Sequence, residues 1–309
     1  MINIHQLSHH YGSHCALNAV SLSVSKATIL GILGPNGSGK TTLFRILSTL
    51  YPVQQGEVTM GGTSLVADPA TIRRKIGVTF QAPSLDSRLT VEENLRYQGY
   101  LYGLSGKALQ LRIQELLERL KLADRLRDRV QSLSGGMQRR VEIAKGLLHD
   151  PEILILDEPS TGLDPGARID LWTYLQRLRD ETGMTILVTT HLMEEAERCD
   201  QLAILDRGNI AATGSPEELR SSLGGDCLTI QTEDPAGLKQ KIADRFQLQF
   251  QQLGESLRLE ATAGHELLRD LVEAFPEEIQ SVSLAKPTLE DVFITRTGHQ
   301  FWGEESGQV

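Results

Sequence analysis

The stretch Gly34-Pro35-Asn36-Gly37-Ser38-Gly39-Lys40-Thr41 decides the fold, because it matches the pattern G-x-x-x-x-G-K-[ST] at every fixed position. An apolar run at 28–33 precedes it and predicts a buried strand, and a helix is predicted from Lys40 to about residue 50. Such a turn directs backbone N–H groups and a helix N-terminus toward phosphate. We therefore expect this phosphate loop to bind a nucleotide, with Lys40 at the β- and γ-phosphates and the Thr41 hydroxyl facing Mg²⁺. A chance glycine-rich turn is the alternative, which the full match disfavours.

A second apolar run, residues 153–156, ends in the acidic pair Asp157 and Glu158. Ligands of parallel sheets bind at the carboxyl ends of the strands, so this pair is placed to meet a bound nucleotide. Asp157 can hold Mg²⁺, and Glu158 can polarise the attacking water. Acids also end strands simply because loops are solvated, so the pair gains its meaning from the phosphate loop.

The segment Leu133-Ser134-Gly135-Gly136-Met137-Gln138, called the signature segment below, predicts a second anion-binding helix start. Ser134 is placed as the N-cap, and Gly135 and Gly136 lie in the first turn. One chain does not need two clamps for one γ-phosphate. The second clamp would therefore serve a nucleotide held by another subunit, unless the segment is only an ordinary capped helix.

Composition narrows the function classes. The chain has 309 residues, 40% hydrophobic and 23% charged, which suits a globular protein of two domains. A net charge of −9 disfavours a large nucleic-acid surface. The three cysteines are scattered, so we expect neither a zinc site nor a disulfide framework. We expect the protein to be in a reducing cytosol. We see no signal-peptide pattern and no apolar run near the roughly 20 residues of a membrane helix. A role at a membrane would need another chain to span it.

Alternating strands and helices indicate an α/β fold, and the phosphate loop indicates a P-loop ATPase. We expect a mostly parallel sheet with antiparallel edge strands in residues 1–24 and a helical subdomain inserted at about 84–150. The first domain is predicted to end at 223, and Gly224-Gly225 form a hinge. Residues 226–297 predict a small α+β domain in the order βαββαβ, followed by a loose tail at 298–309.

The chain resembles the nucleotide-binding subunit of ATP-binding cassette (ABC) transporters over residues 1 to about 222, which implies that the α/β fold is a P-loop ATPase cassette. Met137 departs from the glutamine that is commonest at this position in the family. The predicted phosphate clamp uses Ser134 and glycine N–H groups, so this departure puts little of the clamp prediction in doubt. The six motifs that carry the resemblance stand in the family's order: the phosphate loop with Thr42, Gln81 at a strand end, the signature segment, residues 153–158, Ser160-Thr161-Gly162-Leu163-Asp164, and His191 after the last apolar strand.

The resemblance implies ATP and Mg²⁺ as cofactors and gives further residues a role. Tyr11 would stack on adenine, and Gln81 would contact Mg²⁺ and the lytic water. His191 would sense the γ-phosphate, and Asp164 would face the site across a subunit interface. Each has a plain structural alternative: a tyrosine at a strand edge, a polar strand end, a structural histidine, and a turn residue before Pro165.

The resemblance also implies partners. Two cassettes, as a homodimer or a heterodimer with a related cassette, would sandwich two ATP molecules at the cytoplasmic face of the cell membrane. They would drive a polytopic membrane permease on a separate chain. The stretches Ser84-Leu85-Asp86 and Pro287-Thr288-Leu289-Glu290-Asp291-Val292-Phe293 resemble the drug-resistance and ABC-2-type exporters. Import stays open as an alternative.

Two other classes of function are alternatives. A soluble cassette ATPase acting on ribosomes or DNA would usually show two cassettes, zinc cysteines or basic tails, which this acidic chain lacks; we expect no nucleic acid partner. A regulatory nucleotide-binding module would not need Glu158 and His191. The apolar stripe of Leu289, Val292 and Phe293 either packs on its own domain or supports the assembly with a partner.

Overall fold

The computed structural model describes residues 1–261 and 264–301, so most of the predicted tail lies outside the described residues. The chain forms two compact units, and the division falls between Thr213 and Gly214. Each unit is described by itself. Among the described residues, no helix is long and apolar enough to cross a membrane.

The first unit begins with two long strands and then alternates strands with helices. Its elements are β1 (Ile2–Tyr11), β2 (His14–Val24), β3 (Ile29–Leu33), α1 (Lys40–Leu47), β4 (Gln55–Met60), β5 (Thr63–Ser64), α2 (Pro69–Lys75), β6 (Ile76–Thr79), α3 (Val91–Leu101), α4 (Gly106–Arg119), α5 (Gly135–Leu147), β7 (Ile153–Asp157), α6 (Pro165–Thr182), β8 (Thr185–Thr190), α7 (Met193–Ala196), β9 (Gln201–Asp206) and β10 (Asn209–Gly214).

A six-stranded sheet forms the centre of this unit, with the strand order β10-β9-β3-β8-β7-β6. The pairs β3–β8, β3–β9, β7–β8 and β6–β7 are all parallel. Every residue of β3, β7 and β8 is buried, as the continuous apolar runs predicted. Because these strands run in one direction, their carboxyl ends meet at one edge, and the predicted α/β fold is confirmed.

The antiparallel strands form a second sheet rather than the edge of the first. Its order is β2-β1-β4-β5, and β4 was not predicted from the sequence. The physical reason is that the first residues of β1, Ile2 to His5, alternate between buried and exposed, as in a strand with one apolar face. That face contributes Leu7, Leu17 and Val58 to one core cluster with Phe44 of α1 and Ile155 of β7.

The predicted helical insertion lies between β6 and β7 and contains α3, α4 and α5. Thr90 and Glu93 form a capping box at the start of α3. Short 3₁₀ turns at Ala123–Arg125 and Val130–Ser132 connect α4 to α5. Ser134 caps α5, so the signature segment does open a helix.

The second unit contains α8 (Pro216–Ser221), β11 (Asp226–Gln231), α9 (Pro235–Phe246), β12 (Gln251–Leu253), β13 (Ser256–Ala261), α10 (Gly264–Ala274), β14 (Ser281–Ala285) and α11 (Leu289–Thr297). The predicted βαββαβ order is present, and the four strands form one antiparallel sheet in the order β12-β13-β11-β14. Helices α9 and α10 bury Leu238, Ile242 and Leu271 in the core of this unit.

The division between the units falls earlier than the sequence analysis expected. We placed the end of the cassette at 223, but the second unit starts at Gly214 and includes α8. Contacts between α8 and α11 explain this difference, because they hold α8 within the second unit. Directly after α8, Ser222 Oγ accepts a hydrogen bond from Arg296 Nη2 of α11 over 3.2 Å.

Helix α11 buries the apolar stripe noted in the sequence. Leu289, Val292 and Phe293 are each at most 1% exposed, so the stripe packs within this chain, the plainer of the two alternatives. Asp291 closes the capping box of α11 and forms an ion pair with Arg258 of β13. Both side chains of the pair are only 11% exposed.

We expect Asp291→Asn to loosen the second unit. The amide keeps the shape of the carboxylate but leaves the Arg258 charge buried without its counter-ion, which typically costs about 3 kcal/mol or more. Amide hydrogen exchange in β11 and β13 should therefore become faster, while exchange in the first unit stays unchanged. Glu290→Gln is the matched control, because Glu290 is the exposed neighbour in the same turn. Equal exchange in both variants would contradict a role for the ion pair.

Candidate functional site

An open cleft lies at the carboxyl ends of β3, β6, β7 and β8. Its volume of about 430 Å³ is in the range of small-molecule sites. Most of the residues predicted to bind and cleave the nucleotide meet here. Those lining it are Tyr11, Asn36, Gly37, Gly39, Lys40, Thr41, Thr42, Gln81, Glu158 and His191, together with His14, Ala16 and Thr161.

The backbone of the phosphate loop itself holds the Lys40 side chain in place. Lys40 is the first residue of α1 and is 4% exposed. Its Nζ donates hydrogen bonds to the carbonyl oxygens of Gly34 (2.8 Å) and Pro35 (2.9 Å). Burial lowers the pKa of this ammonium, and the carboxylates of Glu158 and Asp157 partly oppose that shift. The two carbonyl oxygens therefore hold the Lys40 side chain at the loop, where it can meet a phosphate.

Glu158 is the centre of the cleft. Gln81 Nε2 donates a hydrogen bond to its Oε2 over 3.2 Å, and Lys40 Nζ lies 3.9 Å from Oε1. The Nδ1 atom of His191 is 3.2 Å from the same Oε1. The backbone N–H of Glu158 donates to Thr189 Oγ1 over 2.9 Å, which fixes the turn after β7. The three predicted catalytic residues therefore lie in contact around one carboxylate.

Asp157 lies deeper than its neighbour. It is 5% exposed, and Thr189 Oγ1 donates a hydrogen bond to its Oδ1 over 2.6 Å. Burial raises the pKa of this carboxyl, and the Thr189 hydrogen bond opposes the rise. Oxygen donors from Asp157, Thr41 and Gln81 are the type that Mg²⁺ prefers.

The loop has the features that a bound phosphate requires. Gly39 has a φ of 107°, and a Cβ there would come within 2.5 Å of the Ala16 carbonyl oxygen, so only glycine fits. Ser38 is 2% exposed, and its Oγ has no hydrogen-bond partner among the described residues. Thr41, in contrast, is exposed to the cleft. An orphaned buried hydroxyl beside an open threonine fits a ligand that accepts hydrogen bonds, as nucleotide phosphates do.

Tyr11 is at the edge of the cleft, at the end of β1. Its hydroxyl is 3.3 Å from Thr42 Oγ1, next to the phosphate loop. The ring makes edge-on contacts with His9 and Tyr51, at centroid distances of 4.9 and 6.1 Å. Because 43% of the side chain is exposed, the ring remains accessible from the cleft, as a base-stacking residue must be.

The signature segment does not line this cleft. Ser134 Oγ accepts a hydrogen bond from the Met137 N–H over 3.3 Å at the start of α5. A Cβ at Gly136 would lie 2.9 Å from Ala167 Cβ, so the starts of α5 and α6 adjoin. Asp164 caps α6 and accepts from the Ala167 N–H over 2.9 Å. Ser134, Gly135, Gly136 and Asp164 thus form a second group, apart from the residues of the cleft.

One residue that supports both groups was missed in the sequence. Arg139 of α5 donates to the carbonyl oxygens of Phe80 (2.6 Å), Asp157 (3.0 Å) and Pro159 (2.8 Å), and forms a buried ion pair with Glu142 over 2.6 Å. It therefore ties the signature helix to the ends of β6 and β7. The only sequence signal is a charged pair at i, i+3, which is more often solvated.

Two protein families match this chain in consecutive regions. The ABC transporter family matches residues 17–161, and the C-terminal domain of DrrA1-3-like ATP-binding proteins matches residues 214–297. The start of the second match coincides with the start of the second unit.

Curated relatives match nearly the whole chain. The daunorubicin resistance ATP-binding protein DrrA3 of Streptomyces coeruleorubidus is 38% identical and covers 93% of each chain. The linearmycin resistance ATP-binding protein LnrL of Bacillus subtilis is 36% identical, over 96% of this chain and 98% of its own. A Nod factor export ATP-binding protein I of Burkholderia orbicola is 39% identical, over 78% of this chain and 80% of its own.

Solved structures agree with the first unit. An ATP-binding subunit of an ABC transporter has a TM-score of 0.65 and 32% identity, covering 72% of this chain and 93% of its own. A dimeric bacterial ABC transporter cassette has a TM-score of 0.63 and 31% identity, covering 70% of this chain and 98% of its own. With the cleft as described, these matches show that the chain belongs to the ATP-binding cassette family and is an ATP-hydrolysing subunit, similar to the ATP-binding proteins named for drug resistance and Nod factor export.

Proposed function

We propose that this chain is the motor of an ABC-2-type exporter: two copies, or one copy and a related cassette, close around two ATP molecules and drive a separate polytopic permease at the cytoplasmic face of the membrane. The observation that carries the proposal is the division of the nucleotide-binding residues into two groups on one chain. The cleft holds the phosphate loop and Glu158. The second group, around Ser134, lies outside this cleft, so it would contact a nucleotide that a partner subunit holds.

Within each cleft we assign separate tasks to the side chains. Lys40 and the loop N–H groups bind the phosphates, and Tyr11 stacks on the base. Glu158 accepts a proton from the attacking water, while Gln81 and His191 orient that water and the γ-phosphate. Thr41, Gln81 and Asp157 would hold Mg²⁺, which supplies positive charge at the β- and γ-phosphates.

Export, rather than import, is supported by the relatives, which are named for drug resistance and Nod factor export. The C-terminal family match points to the same subgroup. A soluble cassette on ribosomes or DNA is the second candidate, and the net charge of −9 disfavours it.

The exporter proposal can be tested by isolating the tagged chain from membranes of its own host. We expect it to remain bound to the membrane fraction and to co-purify with a polytopic membrane protein in a fixed ratio. ATP hydrolysis should depend on that partner. Recovery with ribosomes or DNA, and a chain absent from the membrane fraction, would favour the second candidate instead.

His191→Ala is expected to slow ATP turnover about 100-fold, the usual effect of losing one positioned donor at a reacting phosphate. ATP affinity should change little, because the phosphate loop and Tyr11 provide the binding contacts. Steady-state hydrolysis and equilibrium binding of a fluorescent ATP analogue separate the two effects. His149→Ala is the control, since His149 bonds the Ile76 carbonyl oxygen at the opposite end of β6. Near wild-type turnover in His191→Ala would remove this residue from the mechanism.

A further inference from the structure

Glu195 is a buried carboxylate that the proposed mechanism does not use. It lies in the short helix α7 and is 1% exposed. Both of its oxygens accept hydrogen bonds from hydroxyl groups. Ser160 Oγ donates to Oε1, and Thr190 Oγ1 donates to Oε2 over 2.6 Å. The nearest cation in an ion pair with it is Arg168, whose Nε is 4.0 Å away.

The two hydroxyl groups belong to the turns on either side of Glu158. Ser160 begins the segment that ends at Asp164, and its neighbour Thr161 donates from Oγ1 to Glu158 Oε2 over 3.3 Å. Thr190 directly precedes His191, and its Oγ1 also accepts the Leu192 N–H over 3.0 Å. One carboxylate therefore connects the turn after β7 with the turn after β8.

Stability alone gives no reason for a carboxylate at this position. Burying a carboxylate without a close counter-ion is unfavourable, and an apolar side chain of similar size would avoid that penalty. What the carboxylate provides is two acceptors at a fixed separation, and both acceptors are used. This geometry holds two loops at one spacing, which a packed apolar group does not define.

We propose that Glu195 is a positioning residue for ATP hydrolysis. By bonding Ser160 and Thr190 together, it fixes His191 and the segment 160–164 relative to Glu158. The inference rests on the proposed roles of Glu158 and His191. It adds that these roles depend on the buried hydrogen bonds from Ser160 and Thr190 to Glu195, called the tie below. The tie acts on turnover and not on ATP binding.

The test uses the two ends of the tie as well as its centre. Thr190→Val and Ser160→Ala each remove one hydroxyl, and we expect each to lower kcat about tenfold with KM for ATP within about twofold. The double variant should be no worse than either single variant, because losing one end already breaks the tie. Glu195→Ala should match them, and Glu195→Gln should recover most of the activity, since an amide can still bond both hydroxyls.

A matched control lies on the same strand. Thr185, at the opposite end of β8, is 1% exposed, and its Oγ1 has no hydrogen-bond partner among the described residues. Thr185→Val should therefore leave kcat unchanged. Multiplied effects in the double variant, or equal losses in Thr185→Val and Thr190→Val, would overturn the proposal. If His191→Ala itself keeps full turnover, the catalytic role proposed for His191 has failed; if only the tie variants do, this inference alone has failed.

Discussion

Glu158→Gln is expected to abolish steady-state ATP hydrolysis and to trap the protein as an ATP-bound closed dimer. The amide has the shape of the carboxylate and can still contact Gln81, but it cannot take a proton from water. Loss of a general base typically slows a reaction by about 100- to 10,000-fold. Lys40 keeps its contacts with the Gly34 and Pro35 carbonyl oxygens, so ATP binding should survive. Gel filtration with ATP and Mg²⁺ should show a dimer that persists.

Glu152→Gln is the control for this variant, because Glu152 immediately precedes β7 and Glu158 immediately follows it. Glu152 is half exposed, and its Oε1 lies 4.0 Å from Lys75 Nζ. An exposed ion pair at this distance is weak. Its substitution should leave turnover and dimerisation as in the wild type. Near wild-type hydrolysis by Glu158→Gln would instead exclude Glu158 as the base.

The central sheet and the phosphate loop could be predicted because their signals are local. A fully buried strand, a glycine turn and a helix start follow one another at 29–47, so a single window contains the whole pattern. The capping boxes at Thr90, Ser215 and Thr288 are equally local. Each depends on side chains three residues apart.

The features that were missed depend on long-range contacts. The separate antiparallel sheet is set by the pairing of β1 with β4, about 50 residues away, and no local pattern records that pairing. Arg139 and Glu195 read as ordinary surface charges on helices, and only the fold shows that they are buried. The boundary at Gly214 depends on contacts of α8 with α11 at the far end of the unit.

Mixing Ser134→Arg with Lys40→Ala is expected to restore ATP-driven dimerisation that neither variant shows alone. Lys40→Ala leaves the phosphate charge uncompensated in its own cleft. Ser134→Arg blocks the helix start that serves the partner's nucleotide. In a mixed dimer, the phosphate loop of the Ser134 variant meets the signature segment of the Lys40 variant, and one composite site is intact. Cross-linking of differently tagged subunits would measure this recovery.

The substitution of Ser134 also removes a helix cap, which costs about 1 kcal/mol of stability. Ser105→Arg controls for the bulk and charge of the new side chain, because Ser105 is the exposed N-cap residue of α4 in the same helical insertion. It should dimerise as the wild type does. A fold defect in Ser134→Arg would appear as weaker binding of ATP by the monomer, which the proposed division of the site does not predict.

Placing both substitutions in one chain makes the test decisive. When one double-variant subunit and one wild-type subunit are joined by a flexible linker and kept dilute, the two are held together as a pair even without ATP-driven dimerisation. If each nucleotide is held between a phosphate loop and the partner's signature segment, both sites of that mixed dimer are broken, and the wild-type activity is lost. If each chain uses its own Ser134, the wild-type subunit keeps a complete site and its activity survives. Since the structure places Ser134 outside the cleft that holds Lys40, we expect the first result.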